Sequence, residues 1–209
     1  MKTTLAITAV AAACILTCSC NSTTQENTSS EMTIKEALAK RHSVRSYTDQ
    51  KLSQETLLEL LWAANGVNEK GTRTAPSAVN AQDIDLYVCS EEGVSKYDAA
   101  SASLSKVTSE DIREYMQAQN SFIMEAPVTI LLVTDQSRFG EPRPGNRNME
   151  FAMIDAGIVS QNISLYCTAY GLGTVACDPR MNKEEVSRAL GLSENEYPLM
   201  YHPVGYPKE

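Results

Sequence analysis

PVTILLVT, residues 127–134, carries no charge and no glycine, and its only polar side chains are two threonines. The run is too short to cross a membrane, and its β-branched content suits a strand buried on both faces. A strand of that kind needs a layer of structure above it and another below. Working outward, IDLYVC (84–89) alternates and is rich in β-formers, and VSKYDA (94–99), following Glu92-Gly93, is its expected hairpin partner. A helix is predicted to start at Thr108 or Ser109 and to run through about Phe122. Downstream of the central run, a Pro/Gly/Arg loop, SRFGEPRPGNR (137–147), leads into the longest predicted helix, from about Met149 to Tyr170. Phe151, Ile154, Ile158, Ile163 and Leu165 are its expected buried face, Gly157 a point of close helix approach, and Gly171 and Gly173 its stop.

The remaining elements follow from caps and turns. Thr33 and Glu36 form a capping box for a short helix ending at Ala39 or Lys40. Ser53 caps QETLLELLWAA (54–64), whose apolar face is read as Leu57, Leu58, Leu61, Trp62 and Ala64, and Asn65-Gly66 ends it. TVAC (174–177) resumes as a strand, Asn182 caps KEEVSRAL (183–190), and PLMYHPVGYP (198–207) is the closing strand. Helices surrounding a mixed, mostly antiparallel sheet give an α+β fold.

A chain of 209 residues with a net charge of −8 allows one domain plus a tail and argues against nucleic acid as a partner, because a phosphate lattice repels an acidic surface. Residues 1–20, MKTTLAITAVAAACILTCSC, pair an early lysine with an Ala-rich apolar run ending in small residues and cysteine. They read as a bacterial lipoprotein signal, with lipidation expected at Cys20, after Ser19, and Cys18 the second candidate. The chain is then anchored to membrane through an N-terminal lipid and sits in the cell envelope, facing the periplasm or on the outer membrane. Residues 21–31 are a polar tether and 32–209 the folded domain. Three cysteines remain in that domain, Cys89, Cys167 and Cys177, an odd number that cannot close a full disulfide set, and they are expected to pack as small hydrophobes. With His42 and His202 the only histidines, neither a zinc site nor a Ser-His-Asp centre has support.

Three stretches carry candidate chemistry. At the exit of the first helix, Arg41, Ser43 and Arg45 alternate, so an extended segment sets two guanidinium groups and a hydroxyl on one face, with His42 beside them. That donor set suits a phosphate, although basic residues at a helix exit also answer its partial negative charge without any ligand. The long loop VNEKGTRTAPSAVNAQD (67–83) offers Ser77, Asn80 and Gln82, groups that both donate and accept and can read a heterocycle edge or a polyol. YGLGTVACD (170–178) ends a helix with a glycine pair, leaving bare backbone able to approach a flat ring.

In this order the three resemble the FMN-dependent nitroreductase family: KRHSVRSY (40–47) its N-terminal flavin motif, APSAVNAQ (75–82) its PS-x-x-N-x-Q loop, GLGTV (171–175) its late glycine turn. EEGVSKYDA, LLWAANGV and RTAPSA look closest to the branch that includes azoline-oxidising dehydrogenases, and the resemblance spans residues 34–207. It implies a domain-sharing α+β homodimer with FMN sites at the subunit interface. Arg41, His42 and Ser43 are then expected to hold the FMN phosphate and ribityl chain and Arg45 the N1/O2 edge of the ring. Ser77, Asn80 and Gln82 arrive from the neighbouring subunit, the backbone of Val175, Ala176 and Cys177 faces the reactive N5, and Gly173 and Thr174 belong to the same cofactor site. Family members usually carry a C-terminal tail that adds a cation to the phosphate; here Lys208 is the local candidate. The middle helical insertion is short, which implies an open flavin face. The implied reaction transfers hydride from a reduced donor, NAD(P)H in most of the family, through flavin N5 to a small-molecule electron acceptor such as a nitroaromatic or quinone. Two other readings stand beside it: an FMN-dependent dehydrogenase or oxidase of a ring or peptide-derived substrate, and a non-catalytic flavin- or partner-binding lipoprotein.

Overall fold

The central apolar run is strand β4 (Val128–Asp135) of a six-stranded sheet, in a computed structural model that describes residues 32–117, 121–141, 145, 147–177 and 180–208. The signal segment, Cys20 and the tether lie outside the described residues. The other strands are β1 (Ile84–Ser90), β2 (Gly93–Asp98), β3 (Ser103–Thr108), β5 (Gly173–Thr174) and β6 (Glu196–Gly205), in the spatial order β3-β2-β1-β4-β6-β5. Every pairing among these strands is antiparallel. Among the described residues six α-helices accompany them: α1 (Ile34–Lys40), α2 (Gln54–Asn65), α3 (Arg113–Met116), α4 (Phe122–Glu125), α5 (Arg147–Ala169) and α6 (Lys183–Leu190).

The pleat distributes the central strands between two cores. Ile84, Leu86 and Val88 of β1, with Ile130 and Leu132 of β4, pack against Leu60 and Leu61 of α2 and Ala156, Val159 and Ile163 of α5. Tyr87 and Cys89, with Leu131 and Val133, turn the other way and meet Ile112, Met116, Ile123, Val186 and Leu190. Two contiguous cores on opposite faces explain why β4 shows almost no polar alternation and why β1, expected to alternate, is instead buried on both sides. Cys89, Cys167 and Cys177 are buried, outside any disulfide among the described residues and divided between these cores, and burial pushes the Cys89 and Cys167 thiols well up from their ordinary value.

Several expectations need correction. The single helix foreseen from Ser109 to Phe122 is two four-residue helices, α3 and α4, and SLSKVT just before it is strand β3, paired with β2. The buried stripe of α5 is Ala152, Asp155, Ala156, Val159, Ser160, Ile163 and Cys167, while Ile154 faces out. Gly157 also faces out, with nothing among the described residues near the place a Cβ would occupy, so it packs no described helix. Trp62 of α2 is 46% exposed, although its indole N–H donates to the Val67 carbonyl at 2.9 Å. A periodic reading places apolar residues on a helix face but cannot say whether that face meets its own sheet or another surface.

Candidate functional site

Residues 41–46 leave the capped helix α1 as extended backbone laid along the β5 edge of the sheet. The Val44 N–H donates to the Thr174 carbonyl at 3.0 Å, and the C-terminal segment closes over the other side, with Thr48 N–H on the Tyr206 carbonyl and Lys208 N–H on the Ser46 carbonyl. Val44 is the inward residue of this stretch; Arg41, Ser43 and Arg45 are exposed around it, as the alternation requires. Gly173 makes that approach possible, because a Cβ built there lies 2.6 Å from the Val44 Cγ1. Tyr47 is completely buried, and its hydroxyl donates to the Val44 carbonyl at 2.7 Å.

Arg113 is neutralised by Asp111 and Arg138 by Asp85 and Asp135, yet Arg41 and Arg45 make no ion pair among the described residues. His42 points its Nδ1 at the Lys40 carbonyl, 3.0 Å away, so that nitrogen carries hydrogen and the ring covers the helix exit. Lys208 is brought beside Ser46 through its backbone, while its ammonium pairs with Glu125 at 3.5 Å.

Strand β5 is short for a chemical reason. The next pair in its register sets Val175 opposite Pro203, which has no N–H to give. The register resumes at Cys177, whose N–H donates to the Tyr201 carbonyl at 2.9 Å. This corrects the expectation that Cys177 offers its backbone to a ligand: that N–H belongs to the sheet. Alternation along extended backbone then turns the Ala176 N–H to the opposite, open side, and Ala176 is exposed. Behind β5, buried His202 lies 2.8 Å from the Ser160 Oγ and 3.1 Å from the Thr174 Oγ1, and the Thr174 hydroxyl donates to the Pro203 carbonyl. Desolvation lowers the His202 pKa to about 3, so the ring is a neutral strut between α5, β6 and β5.

The third stretch lies elsewhere. The Ser77 Oγ accepts the Gln82 N–H at 2.8 Å, the Gln82 side chain touches Arg73 and Asn80, and the Gln82 carbonyl accepts from Arg138 at 2.8 Å. Val79, Asn80 and Gln82 all have positive φ, at 49°, 56° and 52°. Each such non-glycine residue costs about 1–3 kcal/mol, so this loop is strained and must be held from outside. Asp155 of α5 supplies one hold, both its oxygens accepting from the Ala78 N–H at 3.0 and 2.9 Å. Within one chain the structure therefore joins the arginine segment, the glycine strand and Lys208, while the hydrogen bonds of Ser77, Asn80 and Gln82 go to other residues of their own loop, Arg73 and Arg138. Asp155 escaped the sequence reading, and His202 entered it only as a zinc or triad candidate without support. The available signal for Asp155 was an acid on the small-residue stripe of α5, a place where only a paired carboxylate is stable.

The nitroreductase family model matches residues 38–206, which contain all three stretches. The chain belongs to the nitroreductase family. A Methanocaldococcus jannaschii protein named as a nitroreductase is 31% identical over 185 residues, covering 84% of this chain and 91% of that protein. A Ralstonia eutropha structure described as a nitroreductase superposes with a TM-score of 0.79 at 32% identity, covering 87% of this chain and 86% of that one. The FMN reductase (NAD(P)H) of Bacillus subtilis is 25% identical over 185 residues, covering 83% of this chain and 65% of its own length. The α+β expectation is met: a nitroreductase fold with an antiparallel sheet flanked by helices. In this nitroreductase the family's three motifs correspond to one continuous cationic edge and one strained loop.

Proposed function

We propose that this nitroreductase-family oxidoreductase binds FMN and passes hydride from a reduced donor, NAD(P)H or another reductant available to it, to an electron-poor acceptor such as a nitroaromatic or quinone. The observation that carries this reading is the pair of guanidinium groups, Arg41 and Arg45, left without acidic partners on an edge whose backbone is pinned to β5. In an acidic chain such cations await an anion, and a dianionic phosphate with a flat ring fits the donor set. When bound, FMN supplies the hydride chemistry at its N5. Arg41, Ser43 and His42 hold the phosphate and polyol end by charge-assisted hydrogen bonds. Arg45 offsets negative charge at the N1/O2 edge of the ring, which raises its tendency to accept electrons. The outward backbone at Ala176 is the group left to meet the reactive edge.

Ser77, Asn80 and Gln82 are assigned to the FMN of a second copy, since their hydrogen bonds go to their own loop, Arg73 and Arg138. The contact face assigned to that copy is the side of α1, α2 and α5 where Ile34, Trp62, Leu165 and Tyr166 line one groove. Anchoring of the exported protein to an envelope membrane through a lipid on Cys20 is part of the same proposal and is supported by the signal-like residues 1–20. The test is a visible spectrum of the purified protein with a sedimentation measurement, followed by anaerobic addition of NADH, NADPH and quinols. A yellow dimer bleached by one of these and recoloured by a quinone or nitroaromatic is expected. A colourless chain that takes up no added FMN sinks the reading.

A further inference from the structure

Beneath the strained loop lie two carboxyl groups that the proposed chemistry does not use. Asp155 is 2% exposed and Asp83, the residue after Gln82, has no exposure. Asp155 accepts from the Ala78 N–H through both oxygens, and the Asp83 Oδ2 accepts from the Thr134 hydroxyl at 2.7 Å. The Asp83 Oδ1 has no donor among the described residues, although it is buried, and Asp83 lines the same small cavity as Asp155, whose carboxyl helps raise its pKa. The surroundings offer no relief. Arg73 spends its guanidinium on the Asn65 carbonyl and the Gln82 amide; Arg138 is held by Asp85, Asp135 and the Gln82 carbonyl. The Asn65 amide of α2 donates to the Ile84 carbonyl, and Asp135 at the end of β4 faces Arg138 and Ser137. Two adjacent buried carboxylates cannot both stay ionised at low cost, and an orphaned oxygen beside a second carboxylate is satisfied by a proton lying between them.

We propose that Asp83 and Asp155 share one proton and act together as a positioning pair that clamps both ends of the Ser77–Gln82 loop. The clamp grips less firmly once that proton leaves to solvent. Asp155 takes the start of the loop through Ala78, Asp83 is covalently its end, and the proton joins the two. This explains how residues 79, 80 and 82 keep left-handed backbone that their own side chains do not favour. Burial and the neighbouring carboxyl raise the Asp83 pKa from 3.8 to about 6. A carboxyl raised in the folded state binds its proton more tightly there than in the unfolded chain. Its stabilisation is therefore present below about pH 4 and is lost as pH rises through about 6. That the loop serves FMN rests on the functional reading above; the clamp itself does not.

The test compares the full chain with Asp83→Asn, whose amide donates permanently where the shared proton would sit. Melting is followed at about pH 4.5 and about pH 8. Titrations elsewhere, that of His202 included, are common to both proteins and cancel in the difference. The gap between variant and parent is expected to move by about 5 °C in favour of the variant on going to the higher pH. A gap that stays constant, or moves in favour of the parent, overturns the shared proton. FMN titration then reads the loop. Asp155→Asn, which keeps an acceptor for Ala78, is expected to bind within about threefold of the parent, and Asp155→Leu at least about tenfold more weakly. Equal affinity for Asp155→Leu overturns the positioning role. Should the leucine variant fail to fold, the Asp83→Asn melting comparison decides alone. A protein that binds no FMN at all defeats the functional reading while leaving that comparison intact.

Discussion

The arginine segment and the Ser77–Gln82 loop both present polar side chains at the surface, yet they are held by opposite means. The first is held by its backbone: Val44, Ser46 and Thr48 exchange main-chain hydrogen bonds with β5 and the C-terminal residues, and Arg41 and Arg45 make no ion pair among the described residues. The second has little regular pairing, carries three residues of positive φ, and depends on side chains sent from α5, β4 and the turn after it. A ladder positions side chains cheaply and tolerates their exchange. A clamp of buried carboxyls positions a shape that the loop alone would not adopt, at the cost of sensitivity to single substitutions and to pH.

That contrast can be broken experimentally, beginning where the effect is largest. The double change Arg41→Ala, Arg45→Ala removes two charge-assisted contacts at about 1.5–3 kcal/mol each, so FMN affinity should fall about 100-fold or more while the melting temperature hardly moves. Pigment retained as tightly as in the parent would remove the cationic edge from the site. A smaller effect is expected at the ladder. Gly173→Ala sets a methyl 2.6 Å from Val44 Cγ1. The overpacking should cost about 1–3 kcal/mol, read as a loss of about 3–9 °C in melting. Adding Val44→Ala should restore most of it, and a double-mutant cycle without coupling would show that the two residues do not meet. The least effect belongs to Lys208→Ala. Its ammonium is half exposed and already paired with Glu125 at 3.5 Å, so FMN affinity should change by less than about fivefold.

The legible part of the fold was the part governed by short-range rules. The Thr33–Glu36 capping box, the Ser53 and Asn182 caps, and the β1–β2 hairpin at Glu92-Gly93 are present as local chemistry demands. Where the reading failed, a distant partner overruled local preference. SLSKVT becomes a strand because β2 offers it an edge, and Ile154, Gly157 and Trp62 face outward because the sheet occupies the other side of their helices. The site divides in the same way. Arg41, Ser43 and Arg45 are recognisable from spacing alone, whereas Asp155, seventy-two positions after Asp83, has no signal in the loop it supports.

By itself the sequence determined the α+β class, the helix caps and turns, and the alternation that puts two guanidinium groups on one face. These depend on interactions within a few residues, whose energies do not wait for the rest of the chain. Only the tertiary structure decided that Cys177 gives its N–H to Tyr201 and that Pro203 cuts β5 short. It alone set a second buried carboxyl against Asp83. Those are pairings between distant segments, fixed by sheet register and by the exclusion of water, and no local pattern encodes which distant group will arrive.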